Sequence, residues 1–175
     1  MISLRLKYCL SFVSRNSNTM TRHQQNRSFT KLAVEGNIAA GKSTFLKLLS
    51  SESNIKMCPE PVLDWTNIKL DGEVRQDAPN NLLGKFYEDP ARWALTFQNY
   101  ALCSRVKNQP VLEGDGVYLV ERSVFSDRLV FGKNGLKTGI MTDLEYSLYC
   151  KWHAFLTEDN SSTDVSILSL TTPTP

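Results

Sequence analysis

The stretch Val34-Glu-Gly-Asn-Ile-Ala-Ala-Gly-Lys-Ser-Thr-Phe45 decides the fold. Within it Gly36, Asn37, Ile38, Ala39, Ala40, Gly41, Lys42 and Ser43 complete the pattern GxxxxGK[ST], with Thr44 directly after. Glycines at both ends of such a loop let backbone N–H groups curl around phosphate oxygens. A helix that starts at the lysine points its positive end at the same anion. Lys42 would then reach the β- and γ-phosphates and Ser43 would coordinate Mg²⁺. Lys31–Val34 reads as a short strand before the loop, and a helix is predicted from Lys42 to about Ser51. Strand before and helix after are the context that gives the pattern its meaning.

Outward from the loop, short apolar strands alternate with helices. Ile55–Cys58 reads as a second strand, ending at Pro59-Glu60-Pro61. Residues 66–80, rich in Asn, Asp and Gly, read as loop. Asp89-Pro90 supplies an N-cap followed by Pro at the first helical position, and that helix runs to about Asn108. A polar turn region, Asn108–Gly116, leads to a third strand, Val117–Val120, which ends at Glu121-Arg122-Ser123. One helix to about Lys133 follows. Thr142-Asp-Leu-Glu145 is a capping box that opens another, to about Leu156. Val165–Leu170 is a candidate further strand. This alternation predicts an α/β fold, a parallel sheet flanked by helices. Ligands of such sheets bind beyond the carboxyl ends of the strands, where Glu35–Ser43, Glu60 and Glu121–Ser123 all fall.

Composition narrows the function classes. The 175 residues suit one domain, with 41% hydrophobic and 22% charged residues. No apolar run reaches the roughly 18–20 residues of a membrane-spanning helix, so no membrane partner is expected. Residues 1–34 hold six Lys or Arg and no acid, whereas the remainder carries 14 basic and 18 acidic side chains. A nucleic-acid binder would carry its positive charge on the folded body, so no nucleic-acid partner is expected. The acid-free, Arg- and Ser-containing stretch 1–30 fits a mitochondrial transit peptide, and Met20 offers a second start that would leave a cytoplasmic form. Cys9, Cys58, Cys103 and Cys150 are widely spaced and read as reduced, mostly buried thiols. His23 and His153 are given no chemistry.

Several motifs stand in a fixed order after the loop: Glu60-Pro-Val62, Pro90-Ala-Arg-Trp93 with Thr96-Phe-Gln98, and Glu121-Arg-Ser123 with Ser126-Asp-Arg128. Together with the loop they resemble the deoxyribonucleoside kinase family, in its deoxyguanosine and deoxycytidine kinase branch. The resemblance covers roughly residues 31–156. It implies the P-loop nucleoside-kinase fold, with ATP and Mg²⁺ as cofactors, a deoxyribonucleoside as substrate and a homodimer as the assembly. Asn81-Leu-Leu83, Pro90-Ala-Arg-Trp93, Phe131-Gly-Lys-Asn134 and Trp152-His-Ala-Phe-Leu156 look closer to the mitochondrial deoxyguanosine kinases, while Ala101 looks like the deoxycytidine kinase residue. Base preference therefore stays open between deoxyguanosine, deoxyadenosine and deoxycytidine.

The resemblance also implies roles. Glu60 would be the general base at the sugar 5′-hydroxyl, Glu121 would help hold Mg²⁺, and Arg122 would stabilise charge on the transferred phosphoryl. Gln98, Ala101 and Arg105 are spaced i, i+3 and i+7, which puts them on one helix face. There Gln98 and Arg105 would hydrogen-bond the base edge and Ala101 would leave room for it. Asp127 would pair with Arg105 and orient it. Phe97 and Phe131 would stack on the base. Tyr87 would contact the sugar 3′-hydroxyl, and Val62, Trp65 and Leu83 would line the pocket. Trp93 reads as core.

Family members continue past residue 156 into an arginine-rich lid helix, a further acidic sugar contact and an adenine-binding turn with the last strand. None of these maps here, so the kinase domain, 31–156, is expected to be partial and the fold incomplete at the C-terminus. Residues 157–175 form an atypical Ser- and Thr-rich segment. Three functions compete: a deoxyribonucleoside kinase of nucleotide salvage, a non-catalytic isoform that binds nucleotide or pairs with a full-length kinase, and another P-loop small-molecule kinase.

Overall fold

A computed structural model describes residues 9–13, 29–50, 54–68, 80–110, 116–158 and 165–171. The strand that delivers the loop is longer than expected: β2 spans Phe29–Gly36. It is hydrogen-bonded on both edges, to β4 (Gly116–Glu121) from Phe29 to Val34 and to β5 (Val165–Thr171) from Lys31 to Gly36. β3, Ile55–Cys58, lies on the far side of β4. These four strands run parallel. A fifth, β1 (Cys9–Val13), adds antiparallel to β5, giving the order β1-β5-β2-β4-β3. The expected strands and the α/β class therefore stand.

Two strands come from segments that local reading had set apart. β1 arises inside the basic tail, and β5 turns the candidate strand of the C-terminal segment into a neighbour of β2. The positions of Met20 and His23 lie outside the described residues, as do 69–79 of the expected loop and 111–115 of the polar turn.

The chain divides into two compact units. The first comprises residues 1–59, 110–123 and 162–175, and holds the sheet. Side chains alternate along each strand. Val34 and Leu119 from one sheet face pack with Leu46 of α1 (Lys42–Leu49), flanked by Leu32, Phe45, Leu49, Ile55, Met57 and Val117. Burying each of the three central side chains is worth about 1.5–3 kcal/mol. The other face is more polar. Lys56 Nζ donates to the Tyr118 hydroxyl at 3.0 Å, and Lys31 is buried, which lowers its pKa while nearby Cys58 counters the shift.

The second unit, residues 60–109 and 124–161, is helical. Here α2 (Val62–Thr66) and α3 (Leu82–Glu88) were not anticipated from sequence. α3 starts on Asn81, whose side chain accepts from the Gly84 N–H at 2.8 Å. α4, Pro90–Lys107, starts as expected on Asp89, which accepts from the Arg92 N–H, and α7, Asp143–Thr157, opens on the complete Thr142–Glu145 capping box. The single helix expected after Ser123 is corrected. Val124–Ser126 (α5) passes into a π-helical stretch, Asp127–Gly132, before α6, Lys133–Lys137. Gly132 is needed there, because a Cβ would sit 2.7 Å from Tyr149 Cε1. One apolar cluster joins Trp65, Leu82, Phe97 and Ala101, with Trp93 packed against it as read, and another joins Ala94, Leu102, Met141 and Tyr149.

The cysteine expectation holds only in part. Cys58, Cys103 and Cys150 are free, but Cys103 is exposed and the other two are half-buried. Cys103 sits on the solvent side of α4, which the sequence pattern alone does not reveal.

Candidate functional site: a phosphate loop and an arginine clamp

The loop's shape follows from its glycines. Gly36 (φ 150°) and Gly41 (φ 84°) take backbone angles that side chains disfavour, and Ala39 takes φ 62° at a cost of about 1–2 kcal/mol. The turn closes through the Ala40 N–H on the Asn37 carbonyl at 3.2 Å, and α1 begins with the Phe45 N–H on the Gly41 carbonyl at 2.9 Å. Lys42 is buried beneath the loop, and its ammonium donates to the carbonyls of Asn37 (2.7 Å) and Gly36 (3.2 Å). Asn37, Ile38, Ala39, Ser43 and Thr44 are exposed around it. The lysine charge is thus held against the loop's own carbonyls.

The end of β4 lies beside the loop in the same unit. Ser43 Oγ donates to Glu121 Oε1 at 2.8 Å. A hydroxyl and a carboxylate side by side are hard oxygen donors, the set Mg²⁺ takes from a protein while keeping several waters. The residues present therefore fit a magnesium ion. Arg122 is buried and stands at φ 64°, with its N–H donating to the Val34 carbonyl at 3.0 Å. Ser123 is tied by both its N–H (2.8 Å) and its hydroxyl (2.6 Å) to Glu35 Oε1. From sequence Glu35 stands at the strand end with no expected task.

In the helical unit, α4 carries Gln98, Ala101 and Arg105, and all three are buried, as their common face requires. Arg105 is the hub. Its Nε donates to Asp127 Oδ2 and its Nη2 to Glu60 Oε1, both at 2.8 Å. The Arg105 side chain is 5% exposed, Asp127 2% and Glu60 17%, so both bonds are charge-assisted and the one to Asp127 lies away from water. Burial opposes the arginine's charge, but Asp127 and Glu60 more than offset it and raise its pKa. The ring of Trp65 lies 5.7 Å from the guanidinium carbon, and its N–H donates to Ser104 Oγ at 2.7 Å.

The pairing expected between Asp127 and Arg105 is therefore present, and Glu60 joins it. The aromatic arrangement differs from expectation. Phe86, given no role by sequence, stacks on Phe97 at 4.9 Å and 12°, and Trp65 meets Phe97 edge-on at 5.5 Å. One face of Phe97 is thus taken up inside the protein. Phe131 and Leu83 are half-buried, Val62 is 39% exposed, and Tyr87 is 65% exposed with its ring tilted against Phe86. Ser104 was missed, although it lies three residues after Ala101 on the same helix. His153 is buried, and its Nε2 donates to the Val124 carbonyl at 2.8 Å.

Among the described residues no helix is long and apolar enough to cross a membrane, and no group of three or more His, Cys, Asp or Glu side chains is placed to hold a metal. A parallel sheet flanked by helices, with a glycine loop leading into α1, is the P-loop nucleoside-kinase type of α/β fold. The deoxynucleoside kinase family model matches residues 32–174, and the chain belongs to that family. It is 41% identical over 140 residues to deoxycytidine kinase 2 of Gallus gallus, covering 72% of this chain and 53% of that protein. It is 40% identical over 143 residues to the mitochondrial deoxyguanosine kinase of Xenopus laevis (75% and 54%) and 34% identical over 156 residues to the deoxycytidine kinase of Homo sapiens (81% and 60%). The chain spans about half the length of the relatives it matches.

Proposed function

We propose that the protein transfers the γ-phosphoryl of ATP to the 5′-hydroxyl of a deoxyribonucleoside, giving ADP and the 5′-monophosphate. The observation that carries this reading is the buried Arg105 held between Asp127 and Glu60. It presents one guanidinium to a base edge beside one carboxylate suited to accept a hydroxyl proton. The phosphate loop supplies the donor site through its amides and Lys42. Ser43 and Glu121 would hold a magnesium ion, which would supply neutralisation of charge on the phosphates. Arg122 steadies the phosphoryl group as charge develops.

Gln98 and Arg105 read the base, Ala101 admits it, and Asp127 keeps the guanidinium oriented. The base it prefers is open between deoxyguanosine, deoxyadenosine and deoxycytidine. Phe97 and Phe131 contribute stacking, Val62, Trp65 and Leu83 line the pocket, and Tyr87 meets the 3′-hydroxyl. The test is monophosphate formation by the purified, folded chain with ATP and each of the four natural deoxynucleosides. Turnover with purine or cytosine nucleosides is expected. No turnover with any, and no thermal protection by any, overturns the proposal.

A second reading has its own observation. Leu144, Leu148, Trp152 and Phe155 form an exposed apolar face on α7 at helical spacing. This face supports a homodimer, and it would equally serve a non-catalytic form that pairs with a longer kinase. Light scattering of the pure protein and co-elution with a full-length kinase separate the two. Targeting to mitochondria is proposed from the acid-free residues 1–30. Import into isolated mitochondria with a drop in size supports it; exclusion from them favours a cytoplasmic form.

A further inference from the structure

Among the described residues two that are not glycine hold a positive φ: Ala39 in the loop and Arg122 at the end of β4. An arginine does not rest in that region unless its surroundings over-determine it. The residues around Arg122 are pinned one after another. Glu121 stands opposite Val34 in the β2–β4 ladder, the Arg122 N–H binds the Val34 carbonyl, and Ser123 binds Glu35 twice. The last of these is the one made by a side chain of β2. Glu35 Oε1 takes both Ser123 donors, at 2.8 and 2.6 Å, and neither is a bond that strand pairing would supply. Glu35 also directly precedes Gly36, the first residue of the loop.

We infer that Glu35 is a positioning residue. Its carboxylate clamps Ser123, which fixes the backbone of Arg122 in its left-handed state and holds Glu121 at the Ser43 hydroxyl. The inference rests on the phosphoryl-transfer reading and adds to it a residue with no expected contact to either substrate. Glu35 acts on the oxygen pair that takes magnesium, so its loss should appear as a loss of metal-dependent binding before any loss of fold.

The test measures ATP binding by calorimetry on the full chain, with EDTA and across a Mg²⁺ series, alongside melting temperature. Glu35→Ala is expected to raise the Mg²⁺ concentration at half-effect by about 10–100-fold, the usual cost of removing a supporting group behind metal ligands. ATP affinity in EDTA and the melting temperature should change little. Glu35→Gln, whose amide oxygen can still accept both bonds, should restore most of the Mg²⁺ response. Ser123→Ala keeps the backbone bond and should shift the Mg²⁺ midpoint in the same direction by less, and it decides the matter if Glu35→Ala does not fold. An unchanged midpoint in either alanine variant overturns the inference. So does a fall in EDTA affinity and stability with no movement of the midpoint, which marks a purely structural role. If the unmodified chain binds ATP with no Mg²⁺ effect, the phosphoryl-transfer reading falls, and this inference with it.

Discussion

The phosphate loop and the arginine clamp are built in opposite ways. The loop is local. Its residues are consecutive, its donors are backbone amides, and its lysine bonds to carbonyls five and six residues away. The clamp is assembled over distance. Arg105 meets Glu60, 45 residues earlier, and Asp127, 22 residues later, through side chains alone. A local backbone device can lose a side chain and keep its shape. A buried ionic hub cannot, because removing one partner leaves an uncompensated charge. Substitutions in the loop region should therefore cost chemistry with little stability, and substitutions in the clamp should cost both together.

The sharpest break falls on the sheet side. Arg122→Ala is expected to lower turnover by about 10³–10⁵-fold, the range for removing an arginine that stabilises phosphoryl transfer. Steady-state rates with near-unchanged melting would support the contrast, and a collapse of the fold would erase it. On the helical side, Asp127→Ala should destabilise by about 3 kcal/mol. That corresponds to about 6–12 °C in melting temperature for a chain of this size. It should also narrow the difference in kcat/KM between cytosine or purine nucleosides and thymidine. Unchanged stability would mean that Glu60 alone suffices to hold Arg105.

Smaller effects test the scaffold behind the clamp. Trp65→Phe removes the donor to Ser104 and should cost about 1 kcal/mol, read by urea unfolding. Thr142→Ala should cost a similar amount, about 1 kcal/mol, by breaking the α7 capping box. The box is pH-sensitive in a fixed direction. Bonds from the Thr142 backbone and hydroxyl lower the Glu145 pKa in the folded state. The contribution is present above the unfolded carboxylate value and is lost as pH falls through the depressed folded value; the Ala variant should lack this acid dependence.

The smallest effect concerns His153, whose pKa is lowered, first by burial, with nearby Arg128 acting in the same direction and its bond to Val124 opposing. The unfolded state then binds a proton that the folded state refuses. Stability should decline as pH falls below about 6.5, the ordinary histidine value. His153→Gln should flatten that slope in melting curves taken between neutral and mildly acidic pH.

Much of this is legible in the sequence. The loop, the strand before it and the helix after it, the Asp89 and Thr142 caps and the common face of Gln98, Ala101 and Arg105 all follow from spacing within a turn or two. The resemblance carried the Arg105–Asp127 pairing, which spacing alone could not give. What stayed hidden depended on neighbours distant in sequence. Glu35 looks like any strand-end carboxylate until Ser123 arrives from residue 88 positions later. Phe86 reads as an ordinary helix residue until it lies flat on Phe97. The π-helical stretch carrying Asp127 has no local signature in the sequence, and the closeness of Tyr149 to Gly132 at its end appears only in the folded chain.

By itself the sequence determined the α/β class, the phosphate loop and the helix that opens from it, because glycine conformations, caps and side-chain periodicity act within a few residues. Only the tertiary structure decided that Cys9–Val13 and Val165–Thr171 join the sheet, that Glu60 shares Arg105 with Asp127, and that Glu35 braces Ser123. Strand pairing and buried ion pairs are made between residues whose separation along the chain leaves no mark on local propensity.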